Sequence, residues 1–235
     1  MRTKINRSAQ NLKTSGIKRA VLLFTLIIAM GTFLNVNAQD AKPTPKNRTL
    51  SNGFSIKVEY GIPSKEFGTY EPVGDNSKYG ISYGLQIGNQ WYISPMEKLG
   101  FGIMVNWFDV TFAAKSIDDE SRATIDASIL EIGPIGTYAL NSEMAIDFYY
   151  NLRPTVIINM ETWTSSWGGS TNQFSNTWEG VGVTHAIGAG FRWRALSGGM
   201  EYVFGSVNDT DDILSTDDTY KMKANCFRFL IGVKF

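Results

Sequence analysis

The stretch Cys226–Phe235 reads CFRFLIGVKF and alternates between apolar and polar or small residues. Successive side chains of a β-strand point to opposite faces, so every second residue shares a face. One face would carry Phe227, Phe229, Ile231, Val233 and Phe235, and the other would carry polar or small residues. The stretch therefore predicts a strand with one wholly apolar face, which ends on an aromatic residue.

The same period of two recurs in seven earlier segments, which lie at 52–63, 79–93, 99–112, 130–140, 146–158, 181–193 and 200–204. The first is typical, with Phe54, Ile56, Val58, Tyr60 and Ile62 on one face. None of the eight apolar faces contains Asp, Glu, Lys or Arg. Repeated alternation of this kind predicts an all-β fold of eight antiparallel, up-and-down strands.

The polar faces of these strands indicate which side meets water. They are rich in glycine, for example Gly80, Gly84, Gly88, Gly188 and Gly190. Glycine weakens a solvated strand but suits a narrow, filled interior. A soluble sandwich or lipocalin-like barrel would bury its apolar face, whereas a transmembrane barrel turns that face to lipid. The pattern favours the transmembrane barrel.

The connections between the predicted strands support the same choice. Long connections at 64–78, 113–123, 160–180 and 208–220 alternate with short ones at 94–97, 141–143 and 196–199. Outer-membrane barrels have long outer loops and short periplasmic turns. An even number of strands that starts in the periplasm also ends there.

The N-terminal region predicts export. A basic start precedes the apolar run 20–30, and Val36-Asn37-Ala38 is a suitable cleavage site, so residues 1–38 are interpreted as a signal peptide. Residues 39–51 are polar and predict a flexible periplasmic lead-in, and 52–235 predict the barrel. With Cys226 as its one cysteine, the exported chain can form no internal disulfide.

The charge distribution excludes one class of partner. All 22 acidic residues follow position 38, whereas six basic residues precede it, so the exported part is mildly acidic. A nucleic-acid-binding protein needs a basic patch or stripe, which this chain lacks. We therefore expect no nucleic-acid partner.

In pattern and length the chain resembles the small eight-stranded outer-membrane β-barrel proteins of Gram-negative bacteria, the generic outer membrane protein beta-barrel domain family. The resemblance covers about 52–235 and implies location in the cell outer membrane. It implies contact with outer-membrane lipids, including lipopolysaccharide, and recognition of the last strand by the barrel-assembly machinery. The residues that match this assembly signal are Phe227, Phe229, Ile231, Gly232, Val233 and Phe235.

Charged residues on the predicted inner faces form a candidate polar network: Lys57, Glu59, Glu131, Asp147, Arg153, Arg192, Arg194, Glu201, Arg228 and Lys234. They could line a selective pore or fill the barrel with ion pairs. Eight strands enclose a space that side chains can fill, which favours the plug. Pro134 and Pro154 lie inside predicted strands, where each removes a ladder donor, so we expect local bulges there.

Candidate sites outside the barrel interior are few. The connection 160–180 contains Trp163, Trp167 and Trp178, which could contact a glycan or a host protein or could belong to the aromatic belt. The single histidine, His185, is predicted to face lipid. Some small barrels deacylate lipid A with a His-x-Ser pair, but position 187 is Ile. We predict no catalytic residue, cofactor or metal site.

The sequence thus predicts a non-enzymatic outer-membrane barrel that acts in envelope integrity or in surface contact through long outer loops. Alternatives that remain are a lipid A-modifying enzyme, a narrow channel and an accessory factor of an outer-membrane secretion system. No extracellular ligand can be named from the sequence.

Overall fold

The computed structural model describes residues 48–68, 79–117, 120–167, 170–209 and 221–235. The predicted signal peptide and most of the lead-in lie outside these residues, as do 69–78 and 210–220. A short 3-10 helix, Arg48–Leu50, precedes ten strands. They are β1 Gly53–Pro63, β2 Ser82–Pro95, β3 Leu99–Ile117, β4 Glu120–Ala139, β5 Met144–Trp167, β6 Ser170–Trp193, β7 Leu196–Phe204, β8 Ser206–Asp209, β9 Lys221–Lys223 and β10 Cys226–Lys234.

The ten strands make up the eight strands of the barrel wall that the sequence predicts, which we call wall strands. β7 and β8 are one wall strand interrupted at Gly205, whose φ of 123° is unfavourable for other residues. β9 and β10 are the neighbouring wall strand, interrupted beside it at Ala224 and Asn225. The Ala224 amide donates to the Gly205 carbonyl oxygen at 3.0 Å, which ties the two interruptions together.

The sheet closes on itself. Each wall strand pairs antiparallel with its neighbours in the chain, and β1 pairs with β10 from Ser55↔Lys234 to Pro63↔Cys226. One further backbone pair closes the seam: the Phe235 amide donates to the Phe54 carbonyl at 2.8 Å, and the Phe54 amide donates back at 3.2 Å. Within the described wall, closure gives each strand a partner on both sides, which a spanning sheet requires. The predicted eight-stranded antiparallel barrel is confirmed.

The two faces of the wall differ as predicted. Outward positions such as Val58, Phe148, Val183 and Ile231 are between 55% and 68% exposed and apolar, whereas polar side chains point inward and are buried. A continuous apolar exterior is stable only against lipid. The fold is therefore a transmembrane barrel of the outer-membrane type. Among the described residues, no helix is long and apolar enough to cross a membrane.

The predicted long connections are partly wrong. The chain at 113–123 and 160–180 continues the strands into tall hairpins, so that only 118–119 and 168–169 separate β3 from β4 and β5 from β6. Because the other end has only short turns, such as Leu140–Glu143, we take the hairpin end as the outer end. The lead-in also differs, since Arg48–Leu50 is helical and Leu50 is buried.

Three register shifts interrupt the ladders: one at Ile93 in β2, and two bulges in β3 and β4. In the β2–β3 ladder, β3 has one extra residue at Trp107. In the β4–β5 ladder, β4 has one extra residue at Leu130. At its bulge, Leu130 has a φ of 62°. The two bulges lie side by side, and therefore β3 and β4 stay in register with each other. Beyond the bulges both strands turn the opposite set of side chains inward. The β4 bulge faces Pro154 across the β4–β5 ladder, whereas Pro154 itself pairs with Val183 without a shift.

Candidate functional site

The interior of the barrel contains nine of the ten residues of the predicted polar network. Their side chains are buried, and they come from six of the wall strands. They are Lys57, Glu59, Glu131, Asp147, Arg153, Arg192, Glu201, Arg228 and Lys234. They gather there because every second residue of each wall strand points to the barrel axis.

Arg194 is the exception, and its predicted place in the interior is wrong. β6 ends at Trp193, and Arg194 lies in the following turn with a φ of 55°. Its side chain is 67% exposed and pairs with Glu143 Oε1 at 3.1 Å. The alternation used for the prediction stops where the strand stops, so Arg194 belongs to the periplasmic rim.

Arg228 is the centre of the largest charge cluster in the described interior. Its Nη1 lies 2.9 Å from Asp109 Oδ2 and 3.2 Å from Glu59 Oε2, and its Nη2 lies 3.1 Å from Asp126 Oδ2. Glu201 Oε1 is 3.6 Å from the same Nη1. A planar guanidinium can contact several carboxylates at once, which an ammonium group cannot do with fixed geometry.

Arg153 is the second cation of this cluster. It pairs with Glu131 through Nε, and its Nη2 lies 3.3 Å from Asp109 Oδ2 and 3.6 Å from Asp126 Oδ1. Asp109 and Asp126 thus connect the two arginines. All four of these side chains are fully buried, so their ion pairs are not screened by solvent. The cluster links β3, β4, β5 and β10 across the barrel.

Asp109 and Asp126 are absent from the sequence-based network. Strict alternation from Ile103 and from Ile132 places both of them outside, and the bulges at Trp107 and Leu130 turn them inward. A signal was present in the sequence. Trp107-Phe108 and Ile129-Leu130 are adjacent apolar pairs within alternating strands, which indicates an extra residue at each point.

The same cluster contains the one group of carboxylates in the described residues with metal-binding spacing. Oxygens of Glu59, Asp109 and Glu201 lie within 4.8 Å of one another. The Nη1 atom of Arg228 contacts all three carboxylates. The guanidinium therefore supplies the positive charge that a metal ion would supply, and the geometry fits an arginine-centred ion cluster.

A second polar layer lies nearer the periplasmic rim. Arg192 donates to both carboxylate oxygens of Asp147, at 2.6 and 2.9 Å, to Tyr92 Oη at 2.9 Å and to the Thr49 carbonyl at 2.8 Å. Lys234 donates to the Ser51 carbonyl at 2.9 Å. These contacts hold the 3-10 helix in the barrel mouth, where Leu50 packs against Tyr92.

The outer end of the interior is also covered. Phe67, from the connection after β1, is buried against Tyr79, Ala113 and Cys226. Tyr79 begins the predicted strand 79–93, and alternation predicts that it lies on the apolar, lipid-facing side; it instead points inward, and its hydroxyl lies 2.6 Å from Thr124 Oγ1. Burial raises the pKa of the Tyr79 phenol, which therefore stays protonated and can donate to Asn159 Oδ1 at 3.2 Å.

Between the Arg192 layer and the outer cover formed by Phe67 and Tyr79, the side chains leave little space. A cavity beside Lys57, Asp147, Tyr149 and Gly190 has a volume of about 30 Å³. That volume accommodates one water molecule. The geometry corresponds to a plug of ion pairs and hydrogen bonds rather than to an open pore.

We accordingly expect no steady conductance from the purified barrel in planar lipid bilayers. Arg192, held by four hydrogen bonds, lines the recess at the periplasmic mouth, and the Arg228 cluster fills the middle. Single-channel recording is the measurement, with Arg192→Ala beside the unchanged protein. Steady ion-selective openings whose size changes in the variant would contradict a filled interior.

The three tryptophans of the outer hairpin have different positions. Trp163 pairs with Phe174, and Trp167 pairs with Ser170, both near the tip of the β5–β6 hairpin. Trp178 lies lower and packs against a buried apolar cluster that includes Ile157, Val203 and Met222. Trp178 is thus partly a core residue, which weakens the prediction that it is a surface contact.

His185 faces the lipid side of β6, as its sequence position predicts. Its Nδ1 lies 2.7 Å from Tyr150 Oη. The imidazole ring stacks between Tyr150 and Phe204, with ring centroids 5.9 and 5.3 Å away. The adjacent Thr184 points inward and is fully buried, with its hydroxyl 2.6 Å from Thr155 Oγ1.

Comparison with known proteins gives structural neighbours only. No family model matches the chain, and no curated protein is similar to it in sequence. The attachment invasion locus protein Ail of Yersinia pestis is 12% identical, with 78% of this chain and 97% of that chain covered and a TM-score of 0.42. The outer membrane protease OmpT from Escherichia coli is 9% identical, with 83% and 98% covered and a TM-score of 0.38.

A third neighbour is an outer membrane channel from Pseudomonas putida F1, at 6% identity, with 83% of this chain and 100% of that chain covered and a TM-score of 0.22. A fold does not by itself determine an activity. The function of this chain has to be derived from its own residues. Its architecture is that of an antiparallel β-barrel protein of the bacterial outer membrane.

Proposed function

We propose that this protein is a non-enzymatic outer-membrane barrel that makes surface contacts through its β5–β6 hairpin. The observation that carries the proposal is the length of these two strands. β5 and β6 have 24 residues each. A membrane-spanning β-strand needs about 9–11 residues. More than half of each strand is therefore available beyond the hydrocarbon layer.

The extra length forms an ordered hairpin rather than a loose loop. Above the last β6–β8 pair, Gly180↔Asp209, β6 continues to pair with β5 as far as Trp167↔Ser170. The lower part is stabilised by Arg122, whose Nε lies 2.8 Å from Glu161 Oε1 across the β4–β5 ladder. An ordered hairpin loses less conformational entropy on binding than a flexible loop would.

The side chains of the hairpin suit a polar partner surface. Gln173, Phe174, Ser175, Asn176 and Thr177 are all exposed. This run carries no charge and offers amide and hydroxyl groups around one aromatic ring. Such a composition supports contact with a glycan or with the surface of a host protein, because amides and hydroxyls both donate and accept hydrogen bonds.

Two other features support the non-enzymatic part of the proposal. The interior is filled by the Arg228 and Arg192 layers, which leaves no substrate-sized space in the described barrel middle. On the lipid side, His185 has no aliphatic hydroxyl beside it, because Thr184 points inward and is hydrogen-bonded to Thr155. A Ser–His type of acyl-transfer site needs an aliphatic hydroxyl within hydrogen-bond reach of its base, whereas the hydroxyl within reach of His185 is the phenol of Tyr150.

The test is to shorten the hairpin without disturbing the barrel. Glu161 and Asn176 are paired in the ladder, so residues 162–175, which include Gln173, Phe174 and Ser175, can be replaced by Asn-Gly, a two-residue turn that suits such a pair. We expect cells with this variant to lose adhesion to glycan-coated or host-protein-coated surfaces while barrel levels stay unchanged. Adhesion is counted relative to cells that lack the protein.

The β3–β4 hairpin provides a matched control. Lys115 and Arg122 also face each other, so residues 116–121 can be replaced by Asn-Gly in the same way. This control should retain adhesion. Equal adhesion of all three strains, or no contribution of the unchanged protein to adhesion, would reject the proposed function.

A further inference from the structure

The pair formed by Tyr150 and His185 is the most polar feature of the lipid-facing wall. In the described wall strands, the outward positions between the two rims carry no Asp, Glu, Lys or Arg. His185 is also the single histidine of the chain. A polar group on such a wall is costly unless its hydrogen-bonding capacity is satisfied.

The pair cannot satisfy itself. A phenol and a neutral imidazole each bring one polar hydrogen, and the single contact between Tyr150 Oη and His185 Nδ1 uses one of them. If the phenol donates, the imidazole hydrogen remains on Nε2; if Nδ1 donates, the phenol hydrogen remains. In both cases one donor faces outward without an acceptor among the described residues.

The neighbours of the pair fix its orientation. Phe204 stacks on the other side of the His185 ring, and Tyr202 stacks on Phe204 with ring centroids 5.9 Å apart. The hydrogen bond to Tyr150 Oη and the stacking on Phe204 together hold the imidazole in one orientation. A donor that is held in one direction is suited to a specific acceptor.

The height of the pair indicates which acceptor is within reach. His185 lies five residues below Gly180, the last wall position of β6 that pairs with β8 at the outer rim. Tyr60 and Tyr83, an edge-to-face pair on β1 and β2, belong to the same outer aromatic belt. Such belts mark the boundary between the hydrocarbon layer and the headgroups, where the ester groups of lipids are found.

We propose that the Tyr150–His185 pair is a lipid-binding site that donates a hydrogen bond to an acyl-ester carbonyl of an outer-leaflet lipid. A phosphate is the less suitable acceptor. Anion sites are normally built with Arg or Lys, and the described wall around His185 carries neither. An ester carbonyl is uncharged and matches a neutral donor.

The experiment uses the single histidine as a probe. The folded protein, labelled with nitrogen-15 in histidine, is placed in bilayer discs of a diester phosphatidylcholine and of the diether analogue with the same chains and headgroup. Imidazole resonances then report on His185 alone. We expect the polar hydrogen of the pair to resonate further downfield and to exchange more slowly with water in the ester lipid.

The possible results are distinct. Identical imidazole spectra in ester and ether lipids would overturn the proposal. If those spectra agree but change when an uncharged glycolipid replaces phosphatidylcholine, the acceptor is a phosphate, which also overturns it. Tyr150→Phe keeps the ring stack and removes the hydroxyl, so it should shift the tautomer balance of His185. The comparison of lipids needs no variant and stands even if that substitution impairs folding.

Discussion

Replacing Arg228 with methionine is expected to destabilise the barrel more than any other single substitution in the interior. Arg228 is fully buried, and its guanidinium contacts four carboxylates, those of Glu59, Asp109, Asp126 and Glu201. Methionine matches much of the side-chain length but leaves these carboxylates without that cation. Removing one partner of a buried ion pair costs about 3–5 kcal/mol, because an uncompensated buried charge remains.

The expected loss is large relative to the total stability of a folded domain, which is about 5–15 kcal/mol. The measurement is the free energy of unfolding in urea, with the protein folded into lipid vesicles and monitored by tryptophan fluorescence. Unboiled samples on a detergent gel give a second readout, since a folded barrel migrates faster than the unfolded chain.

Arg194→Met is the matched control for Arg228→Met. Arg194 also pairs with a glutamate, but its side chain is 67% exposed and that of Glu143 is 47% exposed. Solvent-exposed ion pairs contribute about 0–1 kcal/mol. Equal losses for the two variants would show that the central cluster does not stabilise the barrel. Adding Glu59→Gln and Asp126→Asn to Arg228→Met should recover part of the loss, because both changes remove buried negative charge.

Deleting Phe235 is expected to lower the amount of barrel in the outer membrane several-fold. Phe235 closes the seam through two backbone hydrogen bonds with Phe54, and its side chain is 73% exposed to lipid. Its loss removes the last pair of the β1–β10 ladder. It also removes the aromatic end of the segment that the assembly machinery is expected to recognise.

The measurement is the level of folded barrel in isolated outer membranes. Phe101→Ala is the matched control, because Phe101 is also a lipid-facing phenylalanine near the periplasmic end, with 55% exposure, but lies inside the chain. The control should assemble at close to normal levels. The hairpin-dependent adhesion of those truncated barrels that do assemble should be unchanged. Normal membrane levels of the chain without Phe235 would contradict the expectation.

Much of the fold follows from the sequence because lipid and interior impose a strict period of two. The outward residues of β1, of β10 and of β6 from Val181 onward can be assigned in this way, for example Val58, Val183 and Ile231. Every wall strand obeys the same constraint, so errors in one strand do not spread to the next. The assignment fails only where the backbone itself departs from the regular period.

The charge centre could be predicted only in part, for a physical reason. Arg153, Arg228 and Glu131 follow the period, whereas Asp109 and Asp126 depend on two bulges that strict alternation ignores and that only the adjacent apolar pairs at 107–108 and 129–130 indicate. The turn at Arg194 and the inward packing of Phe67 depend on contacts between distant segments. The hairpins were missed because Ser, Thr and Asn in a strand beyond the membrane resemble a loop in composition.

The paired bulges at Trp107 and Leu130 have a consequence for how this sequence can change. Loss of the extra residue in β3 alone would break the register with β4 and would turn Asp109 toward lipid. Loss of both would restore the hairpin register but would expose Asp109 and Asp126 together and leave Arg228 with fewer partners. Related sequences should therefore keep or lose six residues together: the two extra residues, the two aspartates and the two buried arginines.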